Sequence, residues 1–97
     1  MQIGRILGNV VATRKDERLT GYKLMIIQCL DEQKNPQGCP IIAVDTVGAG
    51  IGELVLFTKG TSARFAANKT QSPIDAAIIG IIDNIDVYKE LPCKEQQ

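Results

Sequence analysis

Apolar residues in this chain come in short runs that polar or glycine-rich segments separate. Five runs rich in Ile, Val and Leu cover residues 2–13, 23–30, 41–47, 53–59 and 76–88. Runs of this length with many β-branched residues are typical of strands rather than helices. The pattern therefore predicts five strands, which are numbered here in chain order.

Glycines mark the predicted bends and turns. Gly4 and Gly8 lie four residues apart in the first strand and so share one face, where glycine indicates a bend or a close backbone approach. Gly48, Gly50 and Gly52 follow the third strand as a structural turn. We predict that this turn joins the third and fourth strands as a hairpin.

One short helix is predicted between the fourth and fifth strands. Gly60 ends the fourth strand, and Thr61 or Ser62 can cap a helix over residues 63–67. Five strands with glycine corners predict an all-β chain that folds as a small five-stranded OB-like barrel. OB barrels usually carry their helix between strands 3 and 4, so this topology is a variant.

Strands 2 and 5 are apolar on both faces, although a small barrel has only one core side. In strand 2, the first face carries Leu24, Ile26 and Leu30, and the second carries Met25, Ile27 and Cys29. The outer faces therefore need cover, and we predict that another subunit supplies it. A charge at Ile79 or Ile81, whichever faces outward, should then dissociate the assembly. The alternative is that the short helix covers part of one outer face.

The chain's charge balance bears on its partners. Its 97 residues predict one domain, and Lys plus Arg (11) equal Asp plus Glu (11). A neutral chain lacks the basic footprint of a general nucleic-acid binder, and neutrality permits self-association. There is no His, and the three cysteines form no CxxC pair. We therefore expect no metal site, no cofactor and no His general base.

No targeting or spanning segment is expected. The N-terminal stretch MQIGRILGNVVATRK has no long apolar run, and no stretch reaches 18 apolar residues. We therefore expect no membrane partner.

The glycine turn, G-x-G-x-G over residues 48–52, invites a phosphate-binding interpretation. A dinucleotide fingerprint needs a third glycine at position 53 and a helix after it, but Glu53 stands there and a strand follows. The order Lys59-Gly60-Thr61 also differs from a Walker motif. A structural turn is the favoured interpretation, and an enzyme acting on a phosphorylated ligand is a lesser hypothesis.

Carboxylates at strand ends mostly cap turns or pair with a base. Asp45 and Asp83 each end an apolar run, and Arg64 is the candidate partner because its guanidinium can bind a carboxylate through two hydrogen bonds. No residue is predicted to be catalytic. An OB barrel could also bind single-stranded nucleic acid, which requires aromatic rings along a cationic groove. Scattered rings argue against this function: the four are Tyr22, Phe57, Phe65 and Tyr88. It is kept as the alternative because OB barrels often bind single strands.

Three blocks of the sequence resemble one known family. AVDTVGAGIGELVLFTKGTSAR, followed after a loop by PIDAAIIGIIDNIDV, resembles the vertex proteins of bacterial microcompartments, the pentameric shell family of carboxysomes and catabolic organelles. The opening MQIGRILGNVVATRKDERLTGYKLMIIQ fits the same family. The resemblance covers residues 1–88, the predicted domain, and leaves residues 89–97 as a polar tail.

The resemblance implies a structural shell protein in the cytoplasm, without catalysis. It implies an OB-related barrel that forms a pentamer, with a hexamer as the alternative. The pentamer would close the vertices of an icosahedral shell whose facets are hexameric proteins. Leu54 follows Glu53 where carboxysome members often have Trp, which favours a catabolic organelle. The candidate subunit interface residues are Thr61, Ser62, Arg64, Asp75 and Asp83.

Overall fold

The computed structural model describes residues 1–12, 19, 21–67 and 74–86. Its elements are β1 (Gln2–Val10), β2 (Lys23–Leu30), β3 (Ile41–Asp45), β4 (Leu54–Lys59), α1 (Thr61–Ala66) and β5 (Ala76–Ile81). The strands close into a barrel in the order β1-β2-β3-β5-β4. This confirms the predicted all-β fold, including the short helix between the fourth and fifth strands.

The predicted hairpin of β3 and β4 is wrong, because β5 lies between these two strands. β5 runs parallel to β3 at Val44 and Asp45, and antiparallel to β4 from Val55 to Lys59. β5 therefore takes the hydrogen-bonding edges that β3 and β4 would have offered each other. The remaining neighbours, β1 with β2, β1 with β4 and β2 with β3, are antiparallel.

Three predicted strands end early. β1, predicted to extend to residue 13, stops at Val10, and residues 11 and 12 are not in a strand. β3 stops at Asp45 rather than at residue 47, because the Asp45 carboxylate accepts hydrogen bonds from the amides that follow and turns the chain. β5 stops at Ile81, and a bend follows at Asp83, where the sequence becomes polar. The prediction that β5 continues to Tyr88 is therefore wrong for residues 82–86, and residues 87 and 88 lie outside the described part.

The barrel interior is packed with large aliphatic side chains around one ring. Gly4 faces this interior, where an added Cβ would come 2.2 Å from Cγ2 of Ile27. Gly8 has open space instead and lies opposite Ile26, after a register shift of β1 between Ile6 and Gly8, so the prediction that the two glycines share one face is wrong. The close approach predicted for β1 glycines thus occurs at Gly4. The largest fully buried side chains are Ile6, Met25, Ile27, Val55, Phe57 and Ile78.

A second apolar cluster lies outside the barrel wall, beneath α1. Ala63 and Ala67 pack against Val44 and Ala77, with Ile74 completing the cluster. Residues four apart share one helix face, and two alanines on that face let the helix backbone lie close to the strands. The cluster therefore covers part of the outer wall of β3 and β5.

The helix begins earlier than the sequence predicts. α1 starts at Thr61 rather than at residue 63, and its N-cap residue is Gly60, which has φ 67° and makes no side-chain cap hydrogen bond. A cap from Thr61 or Ser62 is therefore wrong, because both residues already lie inside the helix. The hydroxyl of Tyr22 donates to the carbonyl of Ala67 and ties the helix end to the start of β2.

Candidate assembly surfaces

The glycine turn is held by one carboxylate. Asp45 Oδ1 accepts hydrogen bonds from the amides of Val47 and Gly48, each at 3.0 Å, and Oδ2 accepts one from Ala49 at 2.8 Å. A carboxylate at the end of a strand is well placed for this, since its two oxygens can bind several successive amides. Asp45 therefore caps the turn, one of the two roles expected of a strand-end carboxylate.

The second half of the turn is bound to β1. The Gly52 amide donates to the Ile6 carbonyl at 2.8 Å, and the Ile6 amide donates to the Glu53 carbonyl at 3.0 Å. Arg5 Nη1 donates to the Gly52 carbonyl at 2.7 Å. The Gly50 amide donates to Glu53 Oε1 at 2.5 Å. The turn is thus fastened at both ends.

This geometry leaves little for an anion to bind. A phosphate cradle needs several free amides pointing at the ligand. Here the amides of residues 47 to 50 and 52 already donate to groups of the chain itself. Gly48 and Gly52 have φ values of 80° and 90°, which favour glycine, whereas Gly50 has no positive φ. The arrangement supports a structural turn.

The predicted interface residues fall into two groups at opposite ends of β5. The Gly60 amide donates to the Asp75 carbonyl at 2.8 Å, which places the start of α1 beside the beginning of β5. Ser62 and Asp75 are exposed there, and Asp83 is exposed beyond the other end of β5. Thr61 and Arg64 lie in α1, but their side chains are outside the described part. Whether these residues form an interface stays a prediction.

The outer face of β5 is covered by the chain itself along the first half of the strand. Ala76, Ala77 and Ile78 are all buried within one subunit, since α1 covers the outer side at Ala77. The prediction that a neighbour must cover β5 is therefore wrong at its first half. Ile81, at the far end, is 39% exposed, and Ile79 is half-buried.

Beyond the helix, an apolar area of β2 and β3 remains open. Ile26 and Ile42 lie directly opposite each other on these strands, and Ile42 is 46% exposed. A groove of about 160 Å³ runs alongside and is lined by Leu24, Ile42, Val44 and neighbouring residues. We call Leu24, Ile26 and Ile42 the β2–β3 face. Sequence reasoning missed Ile42, although four successive apolar residues from Ile41 to Val44 indicated a two-sided strand.

A second open apolar area lies around the glycine turn. Leu7 is 50% exposed, Val47 40% and Ile51 64%. The hydrogen bonds between Ile6 and the turn place Leu7 beside it. We call these three residues the turn-end patch. Large apolar side chains that stay exposed near one another often mark association sites in soluble proteins.

The aromatic residues do not form a stacking groove in the described part of the chain. Phe57 is fully buried in the barrel, and the Tyr22 hydroxyl is bound to the end of α1. Phe65 is 63% exposed on the outer side of the helix. Tyr88 lies outside the described residues. One exposed ring among those described gives little support to single-strand binding, which uses several.

A larger cavity, of about 580 Å³, opens at the barrel end opposite the glycine turn. Cys29 and Cys39 both line it as free thiols, together with Lys59.

Among the residues that the structure describes, no group of three or more His, Cys, Asp or Glu is arranged to hold a metal ion. Within the same residues, no helix has the length and apolar character needed to cross a membrane.

Comparison with known proteins shows extensive similarity. The model of the family described as "Ethanolamine utilisation protein EutN/carboxysome" matches residues 1–83. The bacterial microcompartment shell vertex protein GrpN of Rhodospirillum rubrum (strain F11) is 45% identical over 86 residues, which cover 89% of this chain and 97% of that protein. The carboxysome shell vertex protein CcmL of Gloeobacter violaceus is 44% identical over 87 residues, or 90% of this chain and 87% of that protein.

The folds are also alike. The solved structure described as the GrpN pentameric microcompartment shell protein from Rhodospirillum rubrum matches with a TM-score of 0.82 at 43% identity. The match covers 91% of this chain and all of that chain. The likeness therefore extends over the barrel, the glycine turn and the helix together.

Proposed function

This chain belongs to the EutN/carboxysome family of microcompartment proteins, and from that membership we propose that it is a structural shell vertex protein that assembles as a pentamer. The observation that carries the proposal is the match of nearly the whole fold to a shell protein described as pentameric. The relatives compared are named for a place in a shell, not for a reaction.

The surface of the barrel supports association. Ile42 and Ile51 are 46% and 64% exposed on separate parts of a small domain. Burying a fully exposed aliphatic side chain gains about 1.5–3 kcal/mol, so burying the remaining surface of these two gains roughly half as much each, and a ring contact that covers several such side chains is favourable. Equal numbers of acidic and basic residues keep repulsion between copies small.

A non-catalytic role fits the glycine turn, whose amides are bound by Asp45, Glu53 and β1. An enzyme using this turn on a phosphorylated ligand would need those amides free. The hydrogen bonds of the turn therefore give no support to the enzyme hypothesis. We propose that the domain extends over residues 1–88 and that residues 89–97, outside the described part, form a tail.

The proposed location is the shell of a bacterial microcompartment, in the cytoplasm. The proposed partners are the hexameric proteins of the shell facets, which a pentamer would join at the vertices. Leu54 after Glu53 favours a catabolic organelle. The similar identities to GrpN and CcmL do not separate the two kinds of shell. The preference for a catabolic organelle is tested by assembling shells from carboxysome facet proteins and from catabolic facet proteins, each with and without this chain. The observation is which shells have closed vertices.

Native mass spectrometry tests the proposed assembly. The chain has a mass of 10.5 kDa, and we expect one dominant species of five chains at micromolar concentration. A stable monomer under these conditions would contradict a shell role. A hexamer would agree with assembly as a ring but would contradict the proposed vertex role, since a vertex of an icosahedral shell has fivefold symmetry.

A further inference from the structure

We propose that the β2–β3 face of one copy packs against the turn-end patch of the next copy around the ring. This inference rests on the proposed function, because it specifies the contact that would build the pentamer. A closed ring uses a heterologous contact, in which each copy meets one neighbour through one surface and the other neighbour through a different surface. The described part of the chain offers two such apolar surfaces.

The β2–β3 face is an open continuation of a wall that is otherwise covered. Ile26 and Ile42 form a directly opposed cross-strand pair, whose side chains lie close together on one side of a sheet. Val44, two residues along β3, is buried in the cluster beneath α1, whereas Ile42 is 46% exposed. The groove between Leu24 and Ile42 gives this surface a concave shape.

The turn-end patch is a fixed surface suited to enter such a groove. Val47 and Ile51 project from a turn whose amides are held by Asp45 and by Ile6. A loop held in one conformation loses less conformational entropy on binding than a mobile loop does. Ile51, at 64%, is the more exposed of the two side chains.

The two surfaces lie on different sides of the barrel, as a ring requires. The β2–β3 face spans two adjacent strands, whereas the turn is hydrogen-bonded to β1 where β1 meets β4. The strand order therefore separates Leu7 and Ile51 from the β2–β3 face, whereas Val47 follows the end of β3. One subunit can therefore use both surfaces at once, each with a different neighbour.

The proposed occupant of each surface is another copy of this chain. The solved shell protein from Rhodospirillum rubrum that matches 91% of this chain is described as pentameric, which supports a contact between identical copies. A heterologous contact between copies buries both apolar surfaces of every subunit when the ring closes.

Cross-linking tests the pairing. In a background with Cys29, Cys39 and Cys93 replaced by Ser, Ile42→Cys and Ile51→Cys are introduced together and treated with a short bismaleimide. A heterologous contact predicts a ladder of products up to five chains on a denaturing gel, and no dimer from either single variant. Phe65→Cys combined with Ile42→Cys is the matched control and should give no ladder.

Two results would overturn the inference. A dimer from either single-cysteine variant would show an isologous contact. A double variant that stays unlinked while native mass spectrometry still finds five chains would show that the ring uses other surfaces. A monomeric parent protein would instead contradict the proposed function, so the two failures are distinguishable.

Charge substitution supplies an independent readout. Ile42→Asp and Ile51→Asp should each leave a folded protein, because both side chains are exposed, and each should remove the pentamer. Mixing the two variants should then yield heterodimers, since each retains one intact surface and the two intact surfaces are complementary. Pentamers formed by either variant alone would contradict the pairing.

Discussion

Ile42 and Val44 lie two residues apart on the outer side of β3, yet Ile42 is 46% exposed and Val44 only 3%. Val44 belongs to the buried cluster beneath α1, together with Ala63, Ala67, Ile74 and Ala77, whereas Ile42 lies outside that cluster. We call the region beneath the helix, with Val44 and Ala77, the helix-covered wall. The barrel wall is apolar in both regions, but among the described residues only the first region is buried, while Ile42 in the second stays 46% exposed.

This difference separates two roles for the same kind of side chain. In the helix-covered wall, apolar contacts hold the helix on the barrel and so stabilise the folded monomer. On the β2–β3 face, Ile42 keeps nearly half of its surface exposed and available to a neighbouring molecule. Substitutions in the first region should therefore change unfolding, and substitutions in the second should change assembly.

The largest difference in stability is expected between a charge placed in the helix-covered wall and a charge placed on the β2–β3 face. Val44→Asp places an unpaired carboxylate beneath α1 and should cost about 4 kcal/mol, enough to unfold much of the protein. Ile42→Asp should leave the circular dichroism spectrum of the folded chain unchanged. Urea unfolding of both variants measures the contrast. Equal destabilisation by the two substitutions would remove the distinction between the regions.

A second prediction concerns the turn that carries the opposing surface. Asp45→Ala removes the acceptor of three amide hydrogen bonds and should cost about 2 kcal/mol, because the exposed amides regain water while Ala49 is buried. The loosened turn should also weaken the pentamer. Asp45→Asn, which keeps one acceptor oxygen, is the control and should lose about half as much in urea unfolding. An unchanged midpoint for Asp45→Ala would show that the carboxylate does not hold the turn.

A third prediction tests the turn glycines individually. Gly48 has φ 80°, so Gly48→Ala should cost about 1–2 kcal/mol. Gly50→Ala should have a smaller effect, since Gly50 has no positive φ and an added Cβ would meet Glu53 Oε1 at 3.4 Å. Thermal unfolding of the two variants gives the comparison. A greater loss at Gly50 would contradict the turn geometry described here.

The smallest expected effect concerns the anchoring of the helix over its wall. Tyr22→Phe keeps the ring but removes the hydrogen bond from the hydroxyl to the Ala67 carbonyl, at a cost of about 1 kcal/mol. Amide hydrogen exchange at the end of α1 should become faster, while exchange in β2 and β3 should stay unchanged. Unaltered exchange in α1 would show that packing of Ala63 and Ala67 alone holds the helix.

Much of the architecture was predictable because it depends on local pattern. Runs of β-branched residues gave all five strands, and Gly60 marked the boundary between β4 and α1. Strand pairing was not predictable in the same way. A strand's alternation indicates its faces but not its neighbour, so the insertion of β5 between β3 and β4 could not be inferred.

The surfaces were predictable only in outline. Two-sided apolar strands indicated that the outer wall needs cover, but the chain itself buries the first half of β5, which the predicted length of the helix did not suggest. Ala63 and Ala67, small residues four apart, were the available signal for a helix lying flat on the wall. The exposure of Ile42 depends on tertiary packing, which the strand pattern does not contain.

Thiol labelling of the intact assembly tests the central claim most directly, namely that a neighbouring copy covers the β2–β3 face. In the background without native cysteines, Ile42→Cys and Phe65→Cys are labelled with a maleimide in the pentamer and after dissociation. We predict that residue 42 reacts slowly in the pentamer and rapidly in the monomer, whereas residue 65 reacts rapidly in both. Equally rapid labelling of both positions in an intact pentamer would contradict the account.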